Sequence, residues 1–285
     1  MQKALFGPAG NCDRFYAEGN KHSIEAFKWL EKNNIDAYEY QCGNGIRTKL
    51  ETFKELGKEA KRYGISLSLH APYYISLSGI EEEKRLKSLD YIKTSADAAS
   101  ALGADRIVIH TGSASKISRD EALSLAKDTM LRALDMPIDK SITLCLETMG
   151  KKNQLGTLDE VIELCSIDKR LAPCVDFGHL NARDAGGVFV TFDDYRRVFD
   201  LIGSKLGEEK AKYLHCHFSK IEYTSQGEKK HLTFEDNIFG PAFEPLCEAI
   251  AKEGLCPRII CESAGTQADD ALMMKNCYNS YLEKI

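Results

Sequence analysis

Eight short apolar runs recur along the chain, at residues 4–7, 37–41, 65–70, 106–110, 142–147, 173–176, 213–218 and 258–262. They are rich in β-branched and other apolar residues, as strands buried on both faces should be. Between and after them lie amphipathic stretches at 23–33, 50–63, 82–102, 119–134, 158–165, 193–206, 243–253 and 268–282. Three of these end in the glycine expected after a helix: Tyr63-Gly64, Leu102-Gly103 and Glu253-Gly254. A strand–helix alternation repeated eight times predicts a (β/α)8 TIM barrel, one α/β domain over residues 1–285, and this length suits one such barrel. The alternative, an open doubly wound sheet, asks for a dinucleotide-type glycine loop after the first strand. Gly7-Pro8-Ala9-Gly10 does not have that pattern.

Composition narrows the classes of function. A hydrophobic fraction of 43% and a charged fraction of 28% describe a soluble globular protein. No stretch approaches the roughly 20 apolar residues that span a bilayer, and the opening MQKALFGPAGNC has no apolar run of the signal-peptide kind. The ten cysteines are scattered, several inside apolar runs (Cys145, Cys174, Cys216, Cys261), and form no CxxC pair. They read as buried reduced thiols of a cytoplasmic protein. A net charge of -5 argues against non-specific coating of nucleic acid. It leaves room for an enzyme that meets phosphates through bound cations and a few basic residues.

Chemistry gathers at the strand ends. The third run ends at His70, the fourth at His110, the fifth at Glu147 and the sixth at Asp176, with His179 three residues on. The seventh carries His215 and His217, and the eighth ends at Glu262. In a TIM barrel these ends surround one opening, where catalytic residues are found. A lone histidine is more often structural than a ligand. Here, of seven histidines, five lie at or just after a predicted strand end, His231 lies in the loop after the seventh, and only His22 stands apart. Glu147 after ITLCL and Glu262 after RIIC would be costly to bury unpaired, and a cation removes that cost. The mixed imidazole and carboxylate set suits zinc, with manganese the alternative. About eight candidates exceed what one tetrahedral ion needs, so either several metals bind or some candidates support others from behind.

The segments His70-Ala71-Pro72-Tyr73-Tyr74-Ile75-Ser76-Leu77, Ile109-His110-Thr111-Gly112, Leu146-Glu147-Thr148, Cys174-Val175-Asp176-Phe177-Gly178-His179, His217-Phe218-Ser219-Lys220, Lys230-His231 and Cys261-Glu262-Ser263 follow one another in an order that resembles the endonuclease IV family. These are zinc-dependent apurinic/apyrimidinic endonucleases of the xylose-isomerase-like barrel group (AP endonuclease family 2, deoxyribonuclease IV). The resemblance implies three zinc ions. His70 and His110 would hold the first, with Glu147 bridging it to a second completed by Asp176, His217 and Glu262. His179 and His231 would hold the third. His217 is preferred over His215 because Phe218-Ser219-Lys220 follows it, and His215 would then support a ligand.

Three departures stand out. The aspartate the family places two residues before His231 is Lys229 here, with Glu228 beside it as the stand-in; without it the centre would hold two ions. The family's Asp-Thr-Cys-His is Asp-Phe-Gly-His, and its arginine loop after the second strand is replaced by residues 41–47, ending at Arg47. The resemblance further implies hydrolysis of the phosphodiester 5′ to an abasic site, leaving a 3′-hydroxyl and a 5′-deoxyribose phosphate, as a step of DNA base-excision repair. Glu147 and Glu262 would be the catalytic carboxylates, and Tyr73, Tyr74 and Arg47 the DNA contacts. The partner is then DNA containing abasic sites, and the protein a monomer with no protein partner. Two rivals remain. A sugar isomerase or epimerase on the same barrel would use one divalent ion. A barrel that keeps metal without catalysis is the other.

Overall fold

A computed structural model describes residues 3–284, so Met1, Gln2 and Ile285 of the expected domain lie outside the described residues. Among the described residues ten strands occur: β1 (Leu5–Pro8), β2 (Ala37–Gln41), β3 (Ser66–His70), β4 (Arg106–His110), β5 (Thr143–Glu147), β6 (Leu171–Asp176), β7 (His215–Phe218), β8 (Lys220–Thr224), β9 (Gly227–Leu232) and β10 (Arg258–Cys261). Eight of them form one parallel sheet in the order β1-β10-β7-β6-β5-β4-β3-β2. Its two edges meet where Asp36 N–H donates to Phe6 O at 3.0 Å and Gly10 N–H to Glu39 O at 2.9 Å. Gly7 permits this closure, since a Cβ there would fall 1.9 Å from Ala37 O. The eight barrel strands lie within two residues of the expected runs, and the eight long helices within one, from Ser23–Lys32 to Gln267–Leu282.

Period-two alternation sorts each barrel strand into two faces. Leu67, Leu69, Ile107, Ile109, Leu144 and Leu146 face one side and pack with the helices, as Val175, Cys216, Phe218, Ile259 and Cys261 do on the other half of the ring. Each such side chain contributes about 1.5–3 kcal/mol on burial. The other face points into the barrel, where Val108, Cys145 and Cys174 make a separate small cluster. Beside Val108 and Ile260, this interior carries thiol and polar side chains, among them Glu39, Ser68, His215 and His217, where a barrel interior is usually branched aliphatic.

The expected pattern omitted three helices (Asp13–Ala17, Phe177–Arg183, Glu208–Lys212) and the antiparallel hairpin β8–β9. The helices are five to seven residues long, too short to display a periodicity. In β9, GEKKHL, almost every residue is polar, so no apolar run announces it. Eight of the ten cysteines are buried, among them the four that lie in apolar runs, Cys145, Cys174, Cys216 and Cys261.

Candidate metal centre

The alternation that sends Leu69, Ile109 and Leu146 outward sends the next residue of each strand inward. His70, His110 and Glu147 therefore converge at the ends of β3, β4 and β5. His70 Nε2 is 3.5 Å and His110 Nε2 3.1 Å from Glu147 Oε2. The His70 Nδ1–H donates to Ala71 O at 2.7 Å, which turns Nε2 toward the carboxylate. The other oxygen, Glu147 Oε1, is 2.9 Å from His217 Nδ1, and that nitrogen is 3.4 Å from Glu262 Oε2. Potential ligand atoms of Glu147, Asp176, His217 and Glu262 all lie within 4.8 Å of one another. Glu147 thus belongs to two adjoining groups, one through each oxygen.

Asp176 does double duty. Its Oδ1 accepts the His179 N–H at 2.7 Å and so caps the helix Phe177–Arg183, while Oδ2 is turned toward the cluster, 3.3 Å from His179 Nδ1. Gly178 is required in this turn, because a Cβ would meet Ser219 O at 2.5 Å. The His179 Nδ1–H donates to Thr148 O at 2.9 Å and directs Nε2 at Glu228 Oε2, 3.5 Å away. His179, Glu228 and His231 form the third group.

The hairpin explains why Glu228 joins it and Lys229 does not. In a regular strand Lys229 and His231 would share a face and Glu228 would lie opposite. In β9, Lys230 opposes Glu222 and Glu228 opposes Tyr223, so Lys229 is the extra residue of a β-bulge. The bulge inverts the alternation, brings Glu228 to the face of His231, and sends the Lys229 ammonium outward to Glu222 Oε1 at 2.5 Å.

All three groups border one cavity of about 600 Å³, lined by His70, Tyr73, His110, Glu147, His179, Glu228, His231 and Glu262. Of the expected DNA contacts, Tyr73 lines it, with its ring 5.6 Å from that of His110. Tyr74 instead packs edge-on against Tyr91 at 4.6 Å. Arg47 is exposed and borders a smaller neighbouring pocket behind Tyr73. His215 sits deeper in the barrel and meets Glu39, not the cavity.

Two contributors escaped the sequence. Glu39, fully buried in β2, faces His215 and His217 (Oε2 to His215 Nε2 2.9 Å, Oε1 to His217 Nε2 3.1 Å). A charged residue between Tyr38 and Tyr40 in an otherwise apolar strand was the available signal. Arg183, nearly buried, donates to the carbonyls of Met149, Lys151, Lys152 and Gln154. It thereby holds the segment that brings Lys151 to the cavity rim.

Electrostatics match a cation site. Burial pushes the Glu147 and Glu39 carboxyls up, yet the imidazoles around them, His217 first, hold both well below the usual range. Burial lifts Asp176 to about 6 against the pull of His179. Burial works against a charge on His179, but Asp176 and Glu228 raise it to about 9. His215, away from the cavity, is lowered to about 4 by burial. Glu147 Oε2 and Asp176 Oδ2 are buried with no hydrogen bond directed at them, and an ion held by the surrounding groups would satisfy both. The donor set therefore fits divalent metal, whose binding would displace protons from the imidazoles.

Comparison with known proteins agrees with this architecture. Residues 27–277 match the family model described as xylose isomerase-like TIM barrel. The chain is 33% identical over 279 residues to "Uncharacterized protein MJ0133" of Methanocaldococcus jannaschii, covering 96% of this chain and 97% of that one. It is 31% identical over 192 residues to "Probable endonuclease 4" of Mycoplasma genitalium, covering 65% of this chain and 62% of that protein. Among solved structures, a D-tagatose 3-epimerase-like protein superposes with a TM-score of 0.68 at 22% identity, over 92% of this chain and 95% of that one. Endonuclease IV from Thermus thermophilus superposes with a TM-score of 0.65 at 16% identity, over the whole of both chains. At these identities the two structures speak for the fold alone. Together with the matched family model, the eight-stranded parallel barrel places this chain in the xylose isomerase-like TIM-barrel family.

Proposed function

We propose that the protein is a zinc-dependent apurinic/apyrimidinic endonuclease, hydrolysing the phosphodiester 5′ to an abasic site in DNA. One observation carries this reading: three adjoining histidine–carboxylate groups, two of them sharing Glu147, open into a single cavity. His70, His110 and Glu147 would hold one ion, and Glu147, Asp176, His217 and Glu262 a second. A third would be held by His179, His231 and Glu228. The imidazole-rich first and third groups favour zinc, while the carboxylate-rich second would also accept manganese.

Ions bound there supply positive charge for the phosphate and its leaving oxygen and lower the pKa of a water toward about 7. The chain's own residues do the rest. Glu147 keeps the two neighbouring groups in one geometry, and Glu262 on the cavity wall orients the attacking water. Tyr73 forms one wall, and the segment held by Arg183 presents Lys151 on the rim to a phosphate. An abasic nucleotide has no base to unstack, so drawing it into the cavity costs less than flipping a paired base. In this reading the enzyme acts as a cytoplasmic monomer on DNA.

A second reading has its own observation. Glu147, Asp176, His217 and Glu262 alone would hold a single ion, with carboxylates able to move a proton next to a sugar carbonyl. That isomerase or epimerase reading leaves His70, His110, His179, Glu228 and His231 without work. The test is direct. The purified protein should hold at least two zinc ions per chain and nick a duplex beside a single abasic analogue, and EDTA should abolish the nicking. A zinc-loaded protein that leaves the duplex intact and interconverts ketoses would replace the first reading with the second.

A further inference from the structure

Beneath the cavity, inside the barrel, lies a carboxylate with no part in the reading above. Glu39 is fully buried, and its neighbours Tyr38 and Tyr40 face the other way, their rings packed on Phe27 and Phe53. Donors converge on it. Its Oε2 accepts from Ser68 Oγ at 2.9 Å, and Oε1 accepts from Gln41 Nε2 at 3.2 Å. His215 Nε2 lies 2.9 Å from Oε2. The other ring nitrogen of His215, Nδ1, is buried without a partner, so the single proton of that ring belongs on Nε2, facing Glu39.

His217 reaches in two directions. Nδ1 faces Glu147 and Glu262 in the cavity group, and Nε2 faces Glu39 Oε1 at 3.1 Å, a contact bent from the ideal hydrogen-bond line. A neutral imidazole has one N–H and one lone pair. If the Nδ1 lone pair is to face a cation, the proton must sit on Nε2, which is buried and needs an acceptor. Glu39 Oε1 stands within reach of it.

We infer that Glu39 is the positioning residue of the metal centre. It accepts the Nε2 proton of His217, leaves Nδ1 as the ligand atom, and is itself aimed by Ser68, Gln41 and His215. The inference rests on the metal-centre part of the proposed function and is independent of which substrate is cleaved.

The test titrates metal-free protein with zinc against a chromophoric chelator. Glu39→Gln should weaken one zinc position about 10–100-fold and leave the others as in wild type, and Glu39→Leu should do the same. Thermal melts of the metal-free variants separate this from a folding defect. On zinc-loaded wild type, long-range proton–nitrogen spectra should show His217 protonated at Nε2, a readout that needs no variant. Three outcomes overturn the inference: wild-type zinc affinity at every position in Glu39→Gln, a lowered metal-free melting temperature with no selective zinc loss, or a His217 proton on Nδ1. Wild type that takes up no zinc overturns the metal centre itself. Wild type that holds zinc without nicking abasic DNA overturns only the nuclease reading.

Discussion

The barrel is charged at both ends, and the two ends handle charge in opposite ways. At the floor, where strands begin, Arg258 lies almost buried and donates from both terminal nitrogens to Asp105 at 2.7 and 3.1 Å, and also to Leu67 O at 2.9 Å. Nearby, Arg170 pairs with Asp168 and donates to Leu134 O. At the mouth, where strands end, carboxylates crowd one another with histidines between them. The floor leaves two guanidinium N–H groups unmatched, Arg258 Nε and Arg106 Nη1, and such donors cannot hold a cation. The mouth leaves carboxylate oxygens unmatched, and these can. A polar cluster whose unmatched groups are all donors can only be structural, whereas one that leaves buried carboxylate oxygens unmatched is built for a cation.

Substitutions at the two ends should therefore separate activity from stability. The largest effect belongs to Glu147→Gln at the mouth. Metal-assisted charge stabilisation is worth several kcal/mol, so incision should fall by about 10³-fold or more. Metal-free protein should also lose some stability, because the imidazoles that hold the Glu147 carboxyl low lose their counter-charge, so incision is read per folded chain. A fully active variant would remove Glu147 from its bridging role. Arg258→Met at the floor should show the reverse: a stability loss of about 2–3 kcal/mol, less than a fully buried pair because Asp105 is half exposed, with zinc content per folded chain unchanged. An Arg258→Met protein that unfolds no earlier but loses metal would break the division between the ends.

Smaller effects sharpen it. Glu228→Gln should weaken one zinc position about 10-fold or more, while Lys229→Ala leaves zinc binding alone, as an equilibrium titration would read. If the roles were exchanged, the bulge would not govern the third group. Smallest is Asp168→Asn on the floor side. Its hydrogen bonds from the Arg170 side chain, then backbone, lower the Asp168 carboxyl from 3.8 to about 2. A depressed folded value stabilises above the unfolded one and is lost as pH falls through the folded one. The variant should thus be less stable by under about 1 kcal/mol at pH 7, and the gap should close between pH 4 and 2. A gap independent of pH would mean that packing, not charge, is lost.

Much of the centre was legible in the sequence because its residues sit where apolar runs stop. His70, His110, Glu147, Asp176 and Glu262 each follow a run whose period leaves the terminal residue facing the barrel mouth. Tyr74 and Arg47 show the limit of that reading. Both lie in loops, where no period says which way a side chain turns, and neither reaches the main cavity. Glu39 was hidden for another reason: it occupies the middle of a strand, not its end, and although Ser68 is its register partner on β3, His215 and His217 come from β7, which only barrel closure brings near.

The chain's own periodicity determined the barrel, the strand boundaries and the gathering of histidines and carboxylates at one opening. Alternation along a strand and burial of apolar faces are local properties that a single sequence displays. Tertiary structure alone decided between neighbours in sequence. It set His217 against Glu147 and Glu262 as well as Glu39, left His215 with Glu39 below them, and placed Glu228 rather than Lys229 beside His231. Those choices depend on strand register and on one extra residue in a hairpin, and register is set by pairing with distant strands.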